Sequence, residues 1–394
     1  MIDTIKRIIS KYNKALVLVN DEYNYLYDAL DIFPITKDIN DDYDLIIEHD
    51  LNSELISILN KKRIYKISID IPSGINKENG LANGNVFKTN LVVNNKNYNG
   101  LFLNDSLDYY DDIVNTKLLN KRKRNTNKSS YGKAVIIAGS KDYSGAALIS
   151  LNALLSFKMG IGYQMIMIPN NIFDAFLLKN PEILLKGFSD DSNKIVFKEE
   201  EFSDVLKYDC IALGMGMGVS VELLKLIRYL LENYEGRLLL DADALNVIAK
   251  YNLNISKHKC MLVITPHLKE FSRLINKDIS LCLENGINLA IEYAKKNNLV
   301  VVLKSNTTII TNGYELEINT SGNTGLAKAG SGDMLSGILL GLLAHKNLDI
   351  FDASYLASYV LGRAAELCID KNEFSMIASD IIEYIPKALN EVIK

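Results

Sequence analysis

The chain has 394 residues, of which 48% are hydrophobic and 23% are charged, a composition typical of a soluble globular protein long enough for two domains. Its formal net charge of −4 leaves no basic excess for a polyanion, so nucleic acid is not an expected partner. The cysteines, Cys210, Cys260, Cys282 and Cys368, are scattered without a C-x-x-C pair, which argues against a zinc site or a disulfide framework and favours the cytoplasm. No apolar run is long enough to span a bilayer, so no membrane anchoring is predicted.

The first 119 residues are predicted to form a small α/β domain. Its β-rich runs are "KALVLVN", "YDLIIEH" and "YKISIDIPSG". Residues 120–131 lie in the polar, basic run "NKRKRNTNKSSYGK" and are interpreted as a linker, because charged runs between periodic segments are usually solvated.

Residues 132–394 are predicted to form a second, larger α/β domain. Short β-rich runs alternate there with helical patterns: "AVIIAGS", the helical "GAALISLNALLSFKMG", "YQMIMIP", "DCIALGMG", the helical "VELLKLIRYLLENY", "RLLLDAD", "MLVITP", "VVLKS" and "TTIITNG". Three helices are expected to close the chain after Gly332. This alternation predicts parallel strands joined by crossover helices.

Two predicted strands of the larger domain end in glycine-rich turns. "AGSKDYSGAA" places Gly145 and Ala146 after the first strand, and "LGMGMG" follows another. Ligands collect at such strand ends, because free amides and helix dipoles point there. One G-x-G-x-G is equally typical of an ordinary turn, but two such turns in one sheet favour a ligand site.

The stretch "GLAKAGSGDMLSGILLG" places the small residues 329–332 and then Asp333 at a helix start. A helix start without bulky side chains lets several amides converge on a phosphate. Like charges repel, so Asp333 is predicted to accept a proton from a hydroxyl group that attacks this phosphate. The alternative is an acid that merely stabilises the helix dipole.

Six ordered segments between residues 130 and 370 resemble the ADP-dependent NAD(P)H-hydrate dehydratases of the ribokinase-like superfamily. They are "SSYGKAVIIAGSKDYSGAALIS", "CIALGMGMG", "LLLDADALNVIA", "LVITPHLKE", "VVLKSNTTIIT" and "NTSGNTGLAKAGSGDMLSGILLG". The resemblance implies a ribokinase-like three-layer α/β/α domain. It also implies dehydration of (S)-NADHX and NADPHX to NADH and NADPH, coupled to conversion of ADP to AMP and phosphate. ATP replaces ADP in eukaryotic relatives.

The resemblance also assigns site residues. Asp333 is implied as the catalytic base, with Gly330–Gly332 as the anion hole. Residues implied to contact the hydrated nicotinamide nucleotide are Ala146, Gly216, His267 and Asp333; those implied to hold ADP or AMP are Lys304, Ser305, Asn306, Thr307, Thr308, Gly330, Ser331 and Gly332. Mg²⁺ is expected with the nucleotide, but no metal ligand is assigned. Two roles stay open for Asp241 and Asp243, magnesium binding and helix capping.

Three positions depart from the common family pattern. Many members have glycine where this chain has Ala329 and Ser305, and proline where it has Met215. Alanine at 329 is tolerable if its φ is ordinary and strained if φ is positive. Activity is expected to survive these changes.

The N-terminal "ISIDIPSGINKENG" resembles the "DIPSGLDADTG" segment of NAD(P)H-hydrate epimerases, which are commonly fused to these dehydratases. Glu48, Asp70 and Ser73 fall at the corresponding site, where K⁺ is expected only if that site survives. The family's "GNNGGDG" loop is absent after "KALVLVN", where the chain reads "DEYNYLYDAL", so no phosphate cradle is expected. The domain is therefore interpreted as a shortened, Rossmann-like, degenerate epimerase. The alternative, that "DIPSG" is only a tight turn, stays open.

Three other functions remain as alternatives: a bifunctional protein that also epimerises NAD(P)HX, a small-molecule kinase of the same superfamily, and a catalytically silent nucleotide-binding protein. Sugar kinases of that group usually carry an Asp-Thr pair before the Gly-x-Gly-Asp motif, and this pair is missing here. Retention of Asp333 argues against a silent protein. A homo-oligomer is expected.

Overall fold

The computed structural model describes residues 2–62, 64–75, 85–89, 91–93, 119–155, 159–177, 183–368 and 372–393. Two sequence predictions fall partly outside these residues: 76–80 of the epimerase-like segment and 156–158 of the first helix of the larger domain. The chain divides into two compact units, residues 1–114 with 283–288, and residues 115–282 with 289–394.

The smaller unit contains a five-stranded parallel sheet in the order β2-β1-β3-β4-β5. Leu16, Ile46 and Ile67 are fully buried in its central strands. The three β-rich runs of the sequence correspond to β1, β3 and β4, whereas the short edge strands were not predicted. The elements are β1 (Ala15–Leu18), β2 (Ile35–Thr36), β3 (Leu45–Glu48), β4 (Tyr65–Ile69), β5 (Leu91–Val93), α1 (Ile2–Ile9), α2 (Tyr25–Ala29) and α3 (Ser53–Leu59).

The larger unit is built on a nine-stranded sheet in the order β16-β15-β14-β13-β12-β11-β6-β7-β8, with β9 and β10 forming a separate hairpin. The strands are β6 (Lys133–Ile137), β7 (Tyr163–Pro169), β8 (Leu184–Phe188), β9 (Asp190–Asp191), β10 (Lys194–Ile195), β11 (Cys210–Leu213), β12 (Arg237–Leu240), β13 (Met261–Ile264), β14 (Leu299–Leu303), β15 (Thr308–Thr311) and β16 (Leu316–Asn319).

Twelve α-helices follow β6 in the described residues, and residues 283–288 among them belong to the smaller unit. They are α4 (Ser144–Leu155), α5 (Phe173–Leu177), α6 (Glu199–Phe202), α7 (Val221–Asn233), α8 (Asp243–Lys250), α9 (Leu268–Ile275), α10 (Ile279–Glu284), α11 (Gly286–Asn297), α12 (Ser331–Leu343), α13 (Ile350–Leu367), α14 (Ala378–Ile382) and α15 (Ile385–Glu391). The chain moves from β6 to β7 in one direction and from β11 to β12 in the other, so right-handed crossovers place α4 and α7 on opposite faces. Helix α12 packs against both α4 and α13 and is buried from Met334 to Leu343.

The sheet is not parallel throughout. Strands β14, β15 and β16 pair antiparallel, because the four residues between β14 and β15 are too few for a crossover helix. Four helices, rather than three, follow Gly332 in the described residues. Pro386 lacks an amide hydrogen and stands in the first turn of α15, which separates this helix from α14.

The segment predicted as a linker makes contacts within the larger unit. Leu119 forms an isolated β-bridge with Ile393. The Arg122 guanidinium lies over the ring of Tyr131 and donates a hydrogen bond to the carbonyl oxygen of Gly160. The domain boundary at residues 120–131 stays a prediction.

Candidate active site

The site lies between the neighbouring parallel strands β6 and β11, where the order in which strands are added to the larger sheet reverses. The loops that follow these two neighbouring strands are joined by a hydrogen bond of 2.8 Å from the Gly139 amide to the Met215 carbonyl oxygen. Open α/β sheets bind their ligands at such a switch point. The glycine-rich turns of the sequence therefore meet at the edge of the sheet that is best suited to a ligand.

The start of α12 lies beside α4 at this edge. Gly330 is the cap residue with φ of 97°, and a Cβ atom there would lie 2.9 Å from Ile149 Cδ1. The positive φ therefore favours glycine at 330, whereas the nearest atom to the Cβ position is only the end of the flexible Ile149 side chain. Ala329 is not among the described residues with positive φ, so the alanine in place of the family glycine introduces no strain. The amides of residues 331–333 open the helix and lack intrahelical acceptors.

Lys304 places a positive charge against this helix start. A Cβ atom on Gly332 would lie 3.3 Å from Lys304 Nζ. The ammonium forms a 2.9 Å ion pair with Asp241 Oδ1, and the side chains of Lys304 and Asp241 are only 19% and 2% exposed. Burial opposes the charge of Lys304, but Asp241 and Glu270 hold its pKa above its ordinary value. A permanent cation therefore stands at the predicted anion hole.

Asp333 is partly buried in the first turn of α12. Burial and the neighbouring carboxylate of Asp241 raise the pKa of Asp333 to about 6, although the Lys304 ammonium lowers it. A general base works best when its pKa lies near the operating pH. Asp333 therefore has the protonation behaviour that proton transfer near neutral pH requires.

His267 caps α9 beside Lys304. Its Nδ1 accepts hydrogen bonds from the amides of Lys269 and Glu270, and Glu270 Oε2 accepts one from the His267 amide at 2.9 Å. Burial and the Lys304 charge lower the pKa of His267, whereas burial raises that of Glu270 to about 7, with Lys304 opposing. Half of the His267 side chain stays exposed, and its Nε2 lies 3.4 Å from Glu270 Oε1.

Gly216 and Ala146 lie in contact on the other side of the site. A Cβ atom on Gly216 would approach the Tyr143 carbonyl oxygen to 2.7 Å and the Ala146 Cβ to 3.0 Å, and its φ is 65°. The Tyr143 side chain is 62% exposed at the same loop. The first turn of α4 and the loop after β11 therefore contact each other through small residues, with the exposed Tyr143 beside them.

The predicted nucleotide segment, residues 304–308, connects β14 to β15. Ser305 is half-buried and donates a hydrogen bond of 3.0 Å to the side chain of Asn306, which is exposed. Thr307 is buried, Thr308 begins β15, and Ser331 Oγ donates to the Leu326 carbonyl oxygen at 2.7 Å. The segment thus carries Lys304 inward and Asn306 outward.

Asp241 and Asp243 are both engaged by protein groups. Besides Lys304, Asp241 accepts a 2.7 Å hydrogen bond from Ser336 Oγ, and Asp243 Oδ2 accepts one of 2.7 Å from the Gly218 amide. The cap of α8 is Ala242. Within the described part of the chain, no group of three His, Cys, Asp or Glu side chains could hold a metal ion.

Sequence reasoning missed two residues of this cluster. Glu270 stands three positions after His267, which is the spacing of a capping box and could have indicated their contact. Ser336 stands three positions after Asp333, so both project from one face of the helix. Its partner lies 95 positions away in the chain, and no sequence pattern indicates that contact.

In the smaller unit, Glu48 and Ser73 come together at the carboxyl ends of β3 and β4. The Glu48 carboxyl group is fully buried and accepts hydrogen bonds from the hydroxyls of Ser68 and Ser73. Burial raises the pKa of Glu48 to about 7 against these hydrogen bonds. Asp70 is also buried, with φ of 66° in the turn after β4.

The turn after β1 differs from a phosphate cradle. Asp21, Glu22 and Tyr23 form a short 3-10 helix with two acids in its first turn. The ring of Tyr23 lies 4.5 Å from that of the buried His49. Two negative charges and an aromatic ring thus stand where a glycine loop would receive a phosphate.

Family comparisons match both parts of the chain. Residues 134–387 match the NAD(P)H-hydrate dehydratase family, and residues 5–95 match the family described as YjeF-related protein N-terminus. No helix in the described residues is both long and apolar enough to cross a bilayer.

Individual relatives give the same assignment. The chain is 30% identical over 369 residues to a bifunctional NAD(P)H-hydrate repair enzyme of Hyperthermus butylicus, covering 87% of this chain and 67% of the relative. It is 29% identical to the enzyme of that description from Thermofilum pendens, over 85% of this chain and 69% of the relative. A crystal structure of the ADP/ATP-dependent NAD(P)H-hydrate dehydratase of Bacillus subtilis, co-crystallised with ATP and Mg²⁺, superposes with a TM-score of 0.61 at 26% identity, covering 71% of this chain and 96% of that one. With a ribokinase-like fold and a family match over more than half its length, the chain belongs to the NAD(P)H-hydrate dehydratase family.

Proposed function

We propose that the larger unit dehydrates NADHX and NADPHX, using ADP as the phosphoryl donor. The β-phosphoryl group of ADP passes to the hydroxyl group of the hydrated nicotinamide ring, and AMP leaves. Elimination of phosphate, with loss of a proton from the adjacent ring carbon, then restores the ring double bond and yields NADH or NADPH. Hydroxide is a poor leaving group. Phosphorylation converts the ring hydroxyl group into a good one.

The observation that carries this proposal is the placement of Asp333 and Lys304 at one helix start. The ammonium and the amides of residues 331–333 stabilise the charge that develops on the transferred phosphoryl group. Asp333 accepts the proton of the ring hydroxyl as that oxygen attacks. Mg²⁺ bound to the nucleotide phosphates would further neutralise charge.

The substrate side of the proposal rests on the wall opposite Lys304. Gly216 and Ala146 leave room for a planar ring to approach the backbone, and the uncharged His267 can hydrogen-bond with a polar substituent. We assign the segment 304–308 to the adenine nucleotide because it carries Lys304 to the anion hole.

Purified protein with ADP, MgCl₂ and chemically prepared NADHX tests this proposal. We expect the absorbance of the reduced nicotinamide to recover in step with release of AMP and phosphate, and Asp333→Asn to abolish that recovery. A stable phosphorylated product would indicate a kinase instead. Absence of turnover with both ADP and ATP would leave only a nucleotide-binding protein.

For the smaller unit, we propose that epimerase activity has been lost. Support comes from the Glu48 carboxyl group, which is held by Ser68 and Ser73, and from the acids Asp21 and Glu22, which would repel a substrate phosphate. Supplied with the (R) epimer alone, the protein should form NADH no faster than spontaneous epimerisation allows. A faster rate that Glu48→Gln removes would refute this part.

We also place the protein in the cytoplasm. Its four cysteines, all within the described residues, are buried thiols rather than disulfides. Such thiols suit a reducing compartment.

A further inference from the structure

The buried carboxylate of Asp241 connects two parts of the active site. Asp241 follows β12 and is 1% exposed. Its Oδ1 pairs with Lys304 Nζ at 2.9 Å, and its Oδ2 accepts a 2.7 Å hydrogen bond from Ser336 Oγ in α12. A buried carboxylate is tolerated only when both oxygens are satisfied. The Ser336 hydroxyl therefore supplies the hydrogen bond to Oδ2, while Lys304 pairs with Oδ1.

Ser336 behaves differently from the other buried helical serines. Ser150, Ser354 and Ser358 donate their hydroxyl hydrogen bonds to carbonyl oxygens four residues earlier in their own helices, which is the usual choice for serine in a helix. The equivalent acceptor for Ser336 is the carbonyl of Gly332. Its hydroxyl instead bonds across to Asp241 on the sheet.

This contact joins α12 to the lysine that serves the same helix start. Gly332 and Asp333 lie one turn before Ser336, and Lys304 Nζ stands 3.3 Å from the Cβ position of Gly332. Ser336 thus restrains one oxygen of Asp241, and the other oxygen restrains the ammonium. On the basis of the proposed dehydratase function, we propose that Ser336 is a positioning residue that holds Lys304 at the transferred phosphoryl group through Asp241.

Loss of the Ser336 hydroxyl has two physical consequences. Asp241 Oδ2 becomes a buried acceptor without its donor, so the carboxylate turns both oxygens toward Lys304 and draws the ammonium away from Gly332. Asp241 also becomes a stronger source of negative potential at Asp333, whose pKa it already raises. Phosphoryl transfer should therefore slow, and the base should need a higher pH to ionise.

The other charged groups facing this cluster do not cancel that shift. Asp243, in the first turn of α8, adds negative potential at Asp333. Glu270 and His267, at the start of α9, lie on the Lys304 side of the cluster, where burial raises the pKa of Glu270 and lowers that of His267. The lowered pKa leaves the His267 ring uncharged near neutral pH, whereas Glu270, with a pKa of about 7, carries part of a negative charge beside Lys304. Lys304 is the cation that balances Asp241.

The test compares three variants of the full-length protein. Ser336→Ala removes the hydroxyl, Ser336→Thr retains it, and Ser354→Ala removes an equally buried serine hydroxyl from the neighbouring helix α13. With NADHX and ADP, we expect Ser336→Ala to lower kcat about tenfold, the loss typical for a hydrogen bond to a charged group. The acid limb of the pH–rate profile of Ser336→Ala should move to higher pH, while its KM for NADHX changes little. Ser336→Thr should recover most of kcat and the original limb, and Ser354→Ala should change neither.

The outcomes separate this inference from the proposed function. An inactive wild-type protein would overturn the proposed function. An active wild-type protein with Ser336→Ala and Ser354→Ala indistinguishable in kcat and pH limb would overturn only the role of Ser336. The same holds if Ser336→Ala lowers Tm without changing kcat or the pH limb, because Ser336 would then serve packing alone. It also holds if Ser336→Ala shifts the limb and Ser336→Thr does not restore it.

Discussion

The buried carboxyl group of Glu48 should make the smaller unit less stable as the pH rises. Its pKa lies at about 7 because burial disfavours the charged form more strongly than the hydroxyls of Ser68 and Ser73 favour it. In the unfolded chain, glutamic acid titrates near pH 4 to 5. The folded state thus binds the proton more tightly. The resulting gain in unfolding free energy is complete below the unfolded-state pKa and is lost as the pH rises from that value to the folded-state pKa.

The magnitude follows from the difference between the two pKa values. About 2.5 pH units at roughly 1.4 kcal/mol each correspond to about 3.5 kcal/mol of unfolding free energy lost in total. Roughly 1 kcal/mol of this falls between pH 6 and pH 8, where the folded group itself begins to ionise. Glu48→Gln keeps the shape of the side chain and cannot ionise, so its stability should not show this dependence.

Hydrogen exchange followed by mass spectrometry can measure this dependence in the full-length protein. Peptides covering β3 (Leu45–Glu48) report opening of the smaller unit, with rates corrected for intrinsic exchange at pH 6 and pH 8. Glu22→Gln, which changes an exposed glutamate of the same unit, serves as the control and should retain the wild-type dependence. Equal pH dependence in wild type and Glu48→Gln would refute the assignment of the buried proton to Glu48.

Three further predictions concern the larger unit. Because burial and Asp241 raise the pKa of Asp333 to about 6, kcat/KM should fall as the pH drops through about 6. Asp333→Asn should lower kcat by about 10²- to 10⁴-fold. A pH–rate profile without this fall on the acid side would contradict the role of Asp333 as base. Gly216→Ala should raise KM for NADHX and destabilise the loop. Gly218 has a similar φ of 73° but nothing within 4 Å of its Cβ position, so Gly218→Ala should show only the backbone strain. Equal effects of the two variants in steady-state kinetics would argue against the close contact at Gly216. Lys304→Gln should raise KM for ADP and lower the unfolding free energy by about 3 kcal/mol, because Asp241 is left buried without its cation; chemical denaturation that gives wild-type stability would contradict this.

Most of the fold could be predicted because local pattern and burial agree along the larger unit. "YQMIMIP" and "DCIALGMG" alternate with strongly apolar helical segments, and these became β7 and β11 as expected. Strand β15 was predicted but not distinguished from a parallel strand, and the antiparallel strand β16 was not predicted. Strand direction depends on where the next segment pairs, and a β-rich run such as "TTIITNG" carries no information about its partner.

The helix start at residues 330–333 and the glycine turns could be located from the sequence alone, because positive φ and close backbone approach demand glycine at specific positions. Family resemblance added the reaction. The sequence by itself thus located the helix start that carries Asp333, whereas Lys304 was assigned only through the family resemblance. Only the tertiary structure decided that Asp241, Lys304 and Ser336 share one buried charge, because electrostatic coupling depends on distance through the fold and not on separation along the chain.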